Sequence, residues 1–118
     1  MSPEELTALN RAIVRLFDRW LVSDAIGPRV LDIEPERYLL WKRGELTEID
    51  DDLKLRLVLL LGIHVQLSAV FGKGARGYAW MNKPNDLFSQ SPLGLLSSGN
   101  LDALLRLQAY LAAEVQAQ

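Results

Sequence analysis

The side chains in this chain whose types and spacing bear on chemistry are few. His64 is the single histidine, and catalysis by it requires a nucleophile or carboxylate held within hydrogen-bond reach. No such partner lies near it in sequence, so it reads as a core or surface histidine. Gly72-Lys73-Gly74 has the glycine and lysine of a phosphate loop but neither the spacing nor the Ser/Thr that would follow. It reads as a helix terminator. Asp50-Asp51-Asp52 lacks the alternating ligands and central glycine of a calcium loop. Three acids at a helix N-terminus are accounted for by the helix dipole. With no cysteine, disulfides, thiolate zinc sites and cysteine nucleophiles are excluded. No paired carboxylates or Ser/His/Asp arrangement stands out. The residues therefore predict no metal, no cofactor and no enzyme.

A second group is basic. Arg37, Tyr38, Lys42 and Arg43 follow two short apolar segments between Leu21 and Gly44. Two short helices joined by a tight turn resemble the helix-turn-helix of Xre-type regulators. In that geometry the second helix, about Pro35 to Arg43, lies in the major groove, and these four residues are the candidates for phosphate or base contacts. Gly27-Pro28 is expected inside the first helix of the pair, where proline removes a backbone donor. Glu34 and Glu36 stand at the tip that approaches the bases, where carboxylates repel phosphate. DNA binding and a helix-turn-helix kept only as scaffold both remain open. Arg11, Arg15 and Arg19, four residues apart, read as a solvated face with Asp18 three residues from Arg15.

Composition bounds the class. Length and mass (118 residues, 13.3 kDa) fit one domain of ordinary size. Apolar residues at 49% and charged residues at 24% exclude disordered and fibrous classes. The net charge of −2 is uneven: residues 1–60 hold 9 basic and 12 acidic side chains, residues 61–118 hold 4 and 3. Neither half is basic enough to signal nucleic-acid binding by composition, so any DNA contact needs a local patch. The longest uninterrupted apolar run, Leu57 to Ile63, is too short to span a bilayer. The polar, acidic start MSPEELTALN is unlike a signal peptide. A cytoplasmic protein without membrane contact is expected.

The elements that must position these residues are helical almost throughout. Ser2-Pro3-Glu4-Glu5 has the pattern of a capping box, and Leu6, Leu9, Ile13, Leu16, Phe17 and Trp20 then recur at helical spacing. Glu34-Pro35-Glu36 opens a short helix that ends at Lys42-Arg43-Gly44. Asp50 to Asp52 start the longest one, Leu53 to about Phe71, apolar nearly all round and so expected to pack on several sides. A short helix through Tyr78, Trp80 and Met81 ends at Lys83-Pro84-Asn85. Ser91-Pro92 restarts a helical turn, and Asn100 caps the last helix, with the predicted stripe Leu101, Leu104, Leu105, Gln108, Leu111 and Val115. The expected fold class is all-α, a single compact domain. Residues 1–72 form a helix-turn-helix region with the long central helix, and residues 73–118 a second region packed with it as one unit.

The segment from Arg56 through Trp80 to KPNDLFSQSPLGLLSSGNLDALLRLQAYLAAE resembles the C-terminal toxin-binding domain of the MbcA/ParS/Xre antitoxin family. The matching positions are Trp80, Pro84, Asn85, Phe88, Pro92, Leu96, Gly99, Leu104, Leu105, Tyr110 and Leu111. Together with the helix-turn-helix the likeness covers roughly Trp20 to Glu114. The chain departs from the family pattern at Ser89-Gln90 and in its C-terminal ending. Trp80, Pro84, Asn85, Phe88, Pro92 and Gly99 are expected to act mainly as structure, with Trp80 and Phe88 supplying apolar area to pin two chain reversals. Tyr110, Leu111, Glu114, Gln116 and Gln118 are the expected toxin contacts.

The resemblance implies an antitoxin of a type II pair. Family members neutralise RES-domain toxins, which deplete cellular NAD, by covering the toxin active site, and many bind their own promoter. NAD would then be the partner's substrate and not a cofactor of this chain. A homodimer is expected, because helix-turn-helix regulators bind paired half-sites. The rival readings are a DNA-binding regulator without a toxin and a structural or adaptor domain.

Overall fold

Four of the seven helices begin where a side chain satisfies their first amides. In a computed structural model that describes residues 1–118, α1 (Pro3–Arg19) starts with the reciprocal pair expected: the Glu5 amide donates to Ser2 Oγ and the Ser2 amide to Glu5 Oε1, both at 3.1 Å. Two short helices follow, α2 (Gly27–Leu31) and α3 (Pro35–Lys42). The long α4 (Asp51–Phe71) is capped by Asp50, whose carboxylate accepts from the Leu53 amide at 2.9 Å. Then come α5 (Ala75–Asn82), α6 (Pro92–Leu96), capped by Ser91, and α7 (Leu101–Gln116), capped by Asn100. There is no strand, only an isolated antiparallel bridge between Asn85 and Gln90. The fold is a single all-α domain.

Three helices run in the same direction through its middle. Arg56, near the start of α4, donates to the Gly99 carbonyl just before α7. Further along, Gln108 sits over Gly62, and Gln118 donates to the Val70 carbonyl. On the other side, Arg15 and Leu16 of α1 lie beside Leu61 and His64, and Arg19 beside His64 and Ser68. Thus α4 is flanked by α1 and α7, all parallel, with α5 and α6 returning the chain. One core of 25 buried apolar residues joins all of these elements, so the two sequence regions share an interior. Burial of that much apolar surface is the dominant favourable contribution to the fold.

The structure corrects three expectations. Gly27-Pro28 opens α2 instead of interrupting it: Pro28 lies in the first turn, where its missing N–H and fixed φ are tolerated. The long helix is not packed all round. Leu55, Val58, Leu61 and Val65 are exposed along one side, because α1 and α7 cover only the other faces. By length and composition α4 also passes as a membrane span, although no single apolar run in it does. Its buried Arg56, tied to the Gly99 carbonyl, instead marks a helix held inside the globule. On α7 the buried stripe is Ala103, Leu104, Leu107 and Leu111, and Leu105 faces outward.

Candidate functional site

The helix-turn-helix region is pinned from within. Tyr38 is fully buried between α2 and α3, and a Cβ at Gly27 would overlap its ring. The ring also packs on Trp41 with centroids 5.5 Å apart, and Trp41 lies 5.6 Å from Phe17 of α1. Its hydroxyl has no hydrogen-bond partner. Burial, reinforced by the Asp24 and Asp18 carboxylates, pushes its pKa up to about 12. Tyr38 is therefore a core residue and cannot contact DNA, which corrects the sequence expectation.

The other three expected DNA contacts are partly engaged. Arg37 donates to the Glu48 carbonyl at 3.2 Å, Lys42 bridges Asp24 at 2.7 Å, and Arg43 lies 3.7 Å from Glu45. The outward face of α3 instead presents Glu36 and Leu39, with Glu34 at its cap.

The concentration of free positive charge is on α1. No carboxylate lies within 4.0 Å of Arg11, Arg15 or Arg19, so the expected pairing of Arg15 with Asp18 does not form. Arg11 and Arg15 share a cleft of about 380 Å³ with Asn10, Trp41, Lys42 and Arg43. Arg15 also lines a second cleft, with Arg19 and His64, which continues into a third bearing Ser68 and Lys73. The second and third clefts join through Arg19, His64 and Tyr78 into one groove, which meets the first cleft only at Arg15; together they are lined by six cations, two of which, Lys42 and Arg43, face Asp24 and Glu45, in a protein of net charge −2. His64 sits in that groove half-buried, its Nδ1 without a partner. Burial, with the Arg19 charge, holds its pKa below the usual histidine value, which favours the neutral ring. The signal for this groove was present in the sequence: arginines one turn apart with only Asp18 within helical reach.

The second assembly is aromatic. Tyr110 of α7 stacks on Trp80 of α5 with centroids 6.0 Å apart and planes 5° from parallel, and it meets the edge of Phe88 at 5.6 Å. Phe71 extends the row, 5.5 Å from Trp80. Arg106 lies 5.2 Å above the Phe88 ring and donates to the Leu87 carbonyl at 2.9 Å. Trp80 and Tyr110 are half-buried and Leu87 is exposed, so the row reaches the surface. Burial raises the Tyr110 pKa, and the charge of Glu114, one turn on, raises it further.

The remaining motif residues act as structure. Asn85 Oδ1 accepts from the Leu87 amide, and the Asn85 amide donates to the Gln90 carbonyl at 3.1 Å. That closes the reversal after the exposed Pro84. Pro92 is buried in the first turn of α6. Gly99 adopts φ +77°, and a Cβ there would press on the Arg29 carbonyl.

Of the five expected toxin contacts, Leu111 is fully buried and is corrected to a core residue. Glu114, Gln116 and Gln118 are exposed, but they do not form a free tail. Helix α7 continues through Gln116, and Gln118 is fastened to Val70 at 3.2 Å. Arg106 stands one turn before Tyr110 on α7, a relation the sequence already carries, whereas Leu87, whose carbonyl accepts from Arg106, is brought beside it only by the return of the chain through α6.

No group of three or more His, Cys, Asp or Glu side chains lies close enough to hold a metal ion.

The sequence matches no protein-family model and no curated protein.

Proposed function

We propose that the chain is an antitoxin of a type II toxin–antitoxin pair, acting by covering the active site of a RES-type, NAD-degrading toxin and catalysing nothing itself. The observation that carries this reading is the surface row of Trp80, Tyr110, Leu87 and Arg106 on the rigid frame of α5 and α7. Tyrosine, tryptophan and arginine at the centre of a partly dry patch are the residues that dominate protein interfaces. A helical, pre-ordered Tyr110 and Glu114 would lose little entropy on docking. The likeness of this segment to the MbcA/ParS/Xre toxin-binding domain supports the same surface.

Co-expression with the product of the adjacent reading frame, followed by co-purification and growth rescue, tests the reading. Tyr110→Ala is expected to weaken the complex by about 2 kcal/mol, roughly 30-fold, with the far-UV circular dichroism unchanged. A neighbour that is harmless, or that is neutralised equally by wild type and Tyr110→Ala, overturns it. Truncation after Leu111 is a poor substitute, because it also removes the last turn of α7 and the Gln118–Val70 contact.

The cation-lined groove favours a second role, operator DNA binding for autoregulation, with the phosphate backbone held by Arg11, Arg15 and Arg19 and not by the tip of α3. Replacing the three with glutamine should flatten the salt dependence of DNA affinity by about 3 in log–log slope. Replacing Arg37 should leave it nearly unchanged.

A further inference from the structure

The groove beside His64 ends where α1, α4 and the start of α5 meet. Arg19 from the end of α1, His64 and Ser68 one turn apart on α4, Lys73 and Gly74 from the following loop, and Tyr78 of α5 line one cleft of about 370 Å³. Gly72 and Gly74 take φ +77° and +110°, backbone that side chains rarely adopt. They break the helix sharply and bring Lys73 onto the cleft. The Gly72-Lys73-Gly74 sequence, unlike a phosphate loop in spacing, thus does more than terminate α4.

The donors of this cleft are unspent. Arg19 and Lys73 reach it from different segments, and neither has a carboxylate within 4.0 Å. The Arg19, Ser68 and Lys73 side chains make no hydrogen bond to the rest of the protein. His64 Nδ1 is sealed from solvent without a partner, so the ring reaches the cleft by its Nε2 edge. A concave site lined by one sign of charge concentrates counter-ions. A guanidinium fork, an ammonium, a hydroxyl and an imidazole together suit the oxygens of a phosphate. A phosphate monoester carries about −1.5 to −2 charge at pH 7, which matches Arg19 and Lys73, whereas a carboxylate would leave one of them uncompensated. Beyond His64 and Tyr78 the neighbouring cleft is walled by Ala12, Leu16 and Leu61, with Arg15 at its edge. That part offers an apolar bed for the organic body of the ester. A cleft of this volume is of the size that encloses a small ligand. A duplex is followed by cations in a row, and Lys73 and Ser68 lie off the row that α1 presents.

We propose that this groove binds a small phosphate monoester, its phosphate held by Arg19, Lys73, Ser68 and His64 and its organic body lying on Leu16 and Leu61. The site stands independently of the antitoxin reading, because neither Tyr110 nor Arg106 lines it. It shares Arg15 and Arg19 with the DNA role but not Arg11, and Lys73 and Ser68 belong to it alone.

His64 is the single histidine, so its ring gives an unambiguous proton signal in the NMR spectrum of the full chain. Phenyl phosphate is the probe, titrated at fixed ionic strength, and the expected result is a saturable shift of that signal. The groups facing the ring are Arg15, Arg19, Lys73 and Tyr78, with no carboxylate among them. Burial and Arg19 favour its neutral form, and a bound dianion favours the protonated one, so the His64 pKa should rise in the complex. Arg19→Gln and Lys73→Gln should each weaken binding about ten-fold. Lys83→Gln, at the far end of α5, should not. All three side chains are exposed, so the helical spectrum should be unaltered. Inorganic phosphate should move the same signal with lower affinity, and phenol should leave it in place. A shift that stays linear with concentration overturns the proposal, as does an affinity untouched by Lys73→Gln. Equal affinity for inorganic phosphate overturns the assignment of an organic body to Leu16 and Leu61. A shift produced by duplex DNA and by neither small phosphate assigns the groove to nucleic acid and overturns the proposal as well.

Discussion

Arg56 is the one charged side chain buried in this protein, at 4% exposure. Its Nε donates to Asp52 at 2.8 Å, its Nη1 to the Gly99 carbonyl at 2.8 Å, and its Nη2 lies 3.8 Å from Asp32. A single guanidinium thereby joins α4 to the α2–α3 turn and to the start of α7. Nothing in its sequence neighbourhood distinguishes it from a surface arginine beside an acid four residues away. Replacement by methionine keeps the stem but leaves the Gly99 carbonyl unpaired, and should cost about 2–3 kcal/mol of stability in urea titration. Tyr38 makes the opposite case. Its hydroxyl is buried without a partner, so Tyr38→Phe should leave stability equal or slightly raised. Its folded pKa of about 12 exceeds the ordinary 10.0, so the folded state retains a proton that the unfolded chain gives up. The tyrosine's contribution is then complete below pH 10 and is lost as pH rises from 10 towards 12. Tyr38→Phe should flatten the alkaline limb of a thermal-melt profile measured over that range.

At the scale of the element, most of the fold was legible, because helix ends are written in short local patterns. Ser2 with Glu5 and Asn100 cap the helices expected of them, Asp50 and Ser91 cap the helices expected to start there, and Gly72 ends α4. What local pattern could not supply was which faces neighbours would cover. The apolar residues of α4 exceed what α1 and α7 can bury, and Leu105 and Leu107 of α7 are interchangeable by type until the direction of α7 against α4 is known. The candidate sites divide in the same way. Tyr110 was legible as a large aromatic on the last helix, whereas its stacking on Trp80 requires the α5–α6 return. The arginines of α1 carry a prediction of their own. Like charges one turn apart repel by a few tenths of a kcal/mol per pair, and no carboxylate relieves them. Arg15→Gln should therefore raise the melting temperature slightly, and should weaken the DNA binding proposed for this face. A fall in melting temperature would show that Arg15 is held by an interaction within the fold.

Across the whole molecule, the division expected at residue 72 has no counterpart in the structure. The surface of α4 that faces α7 is completed only by residues from beyond that point: Leu104, Leu107 and Leu111 lie in the same core as Leu57, Leu60 and Ile63. Arg56 reaches across the division to Gly99, and Asn82 crosses it in the other direction, its Nδ2 donating to the Trp20 carbonyl at 2.7 Å. A chain of this size with one continuous core unfolds as a unit. Thermal melts followed by far-UV circular dichroism and by tryptophan fluorescence should then coincide, because Trp20 and Trp41 report on the N-terminal part and Trp80 on the C-terminal part. Residues 1–72 expressed alone would expose the α7-facing side of α4 in addition to the stripe already bare. With α4 then apolar and uncovered on most of its circumference, the fragment should aggregate or melt without a cooperative transition. A soluble fragment with a sharp transition would mean that α1 to α4 hold a core of their own and that α5 to α7 are an appended module.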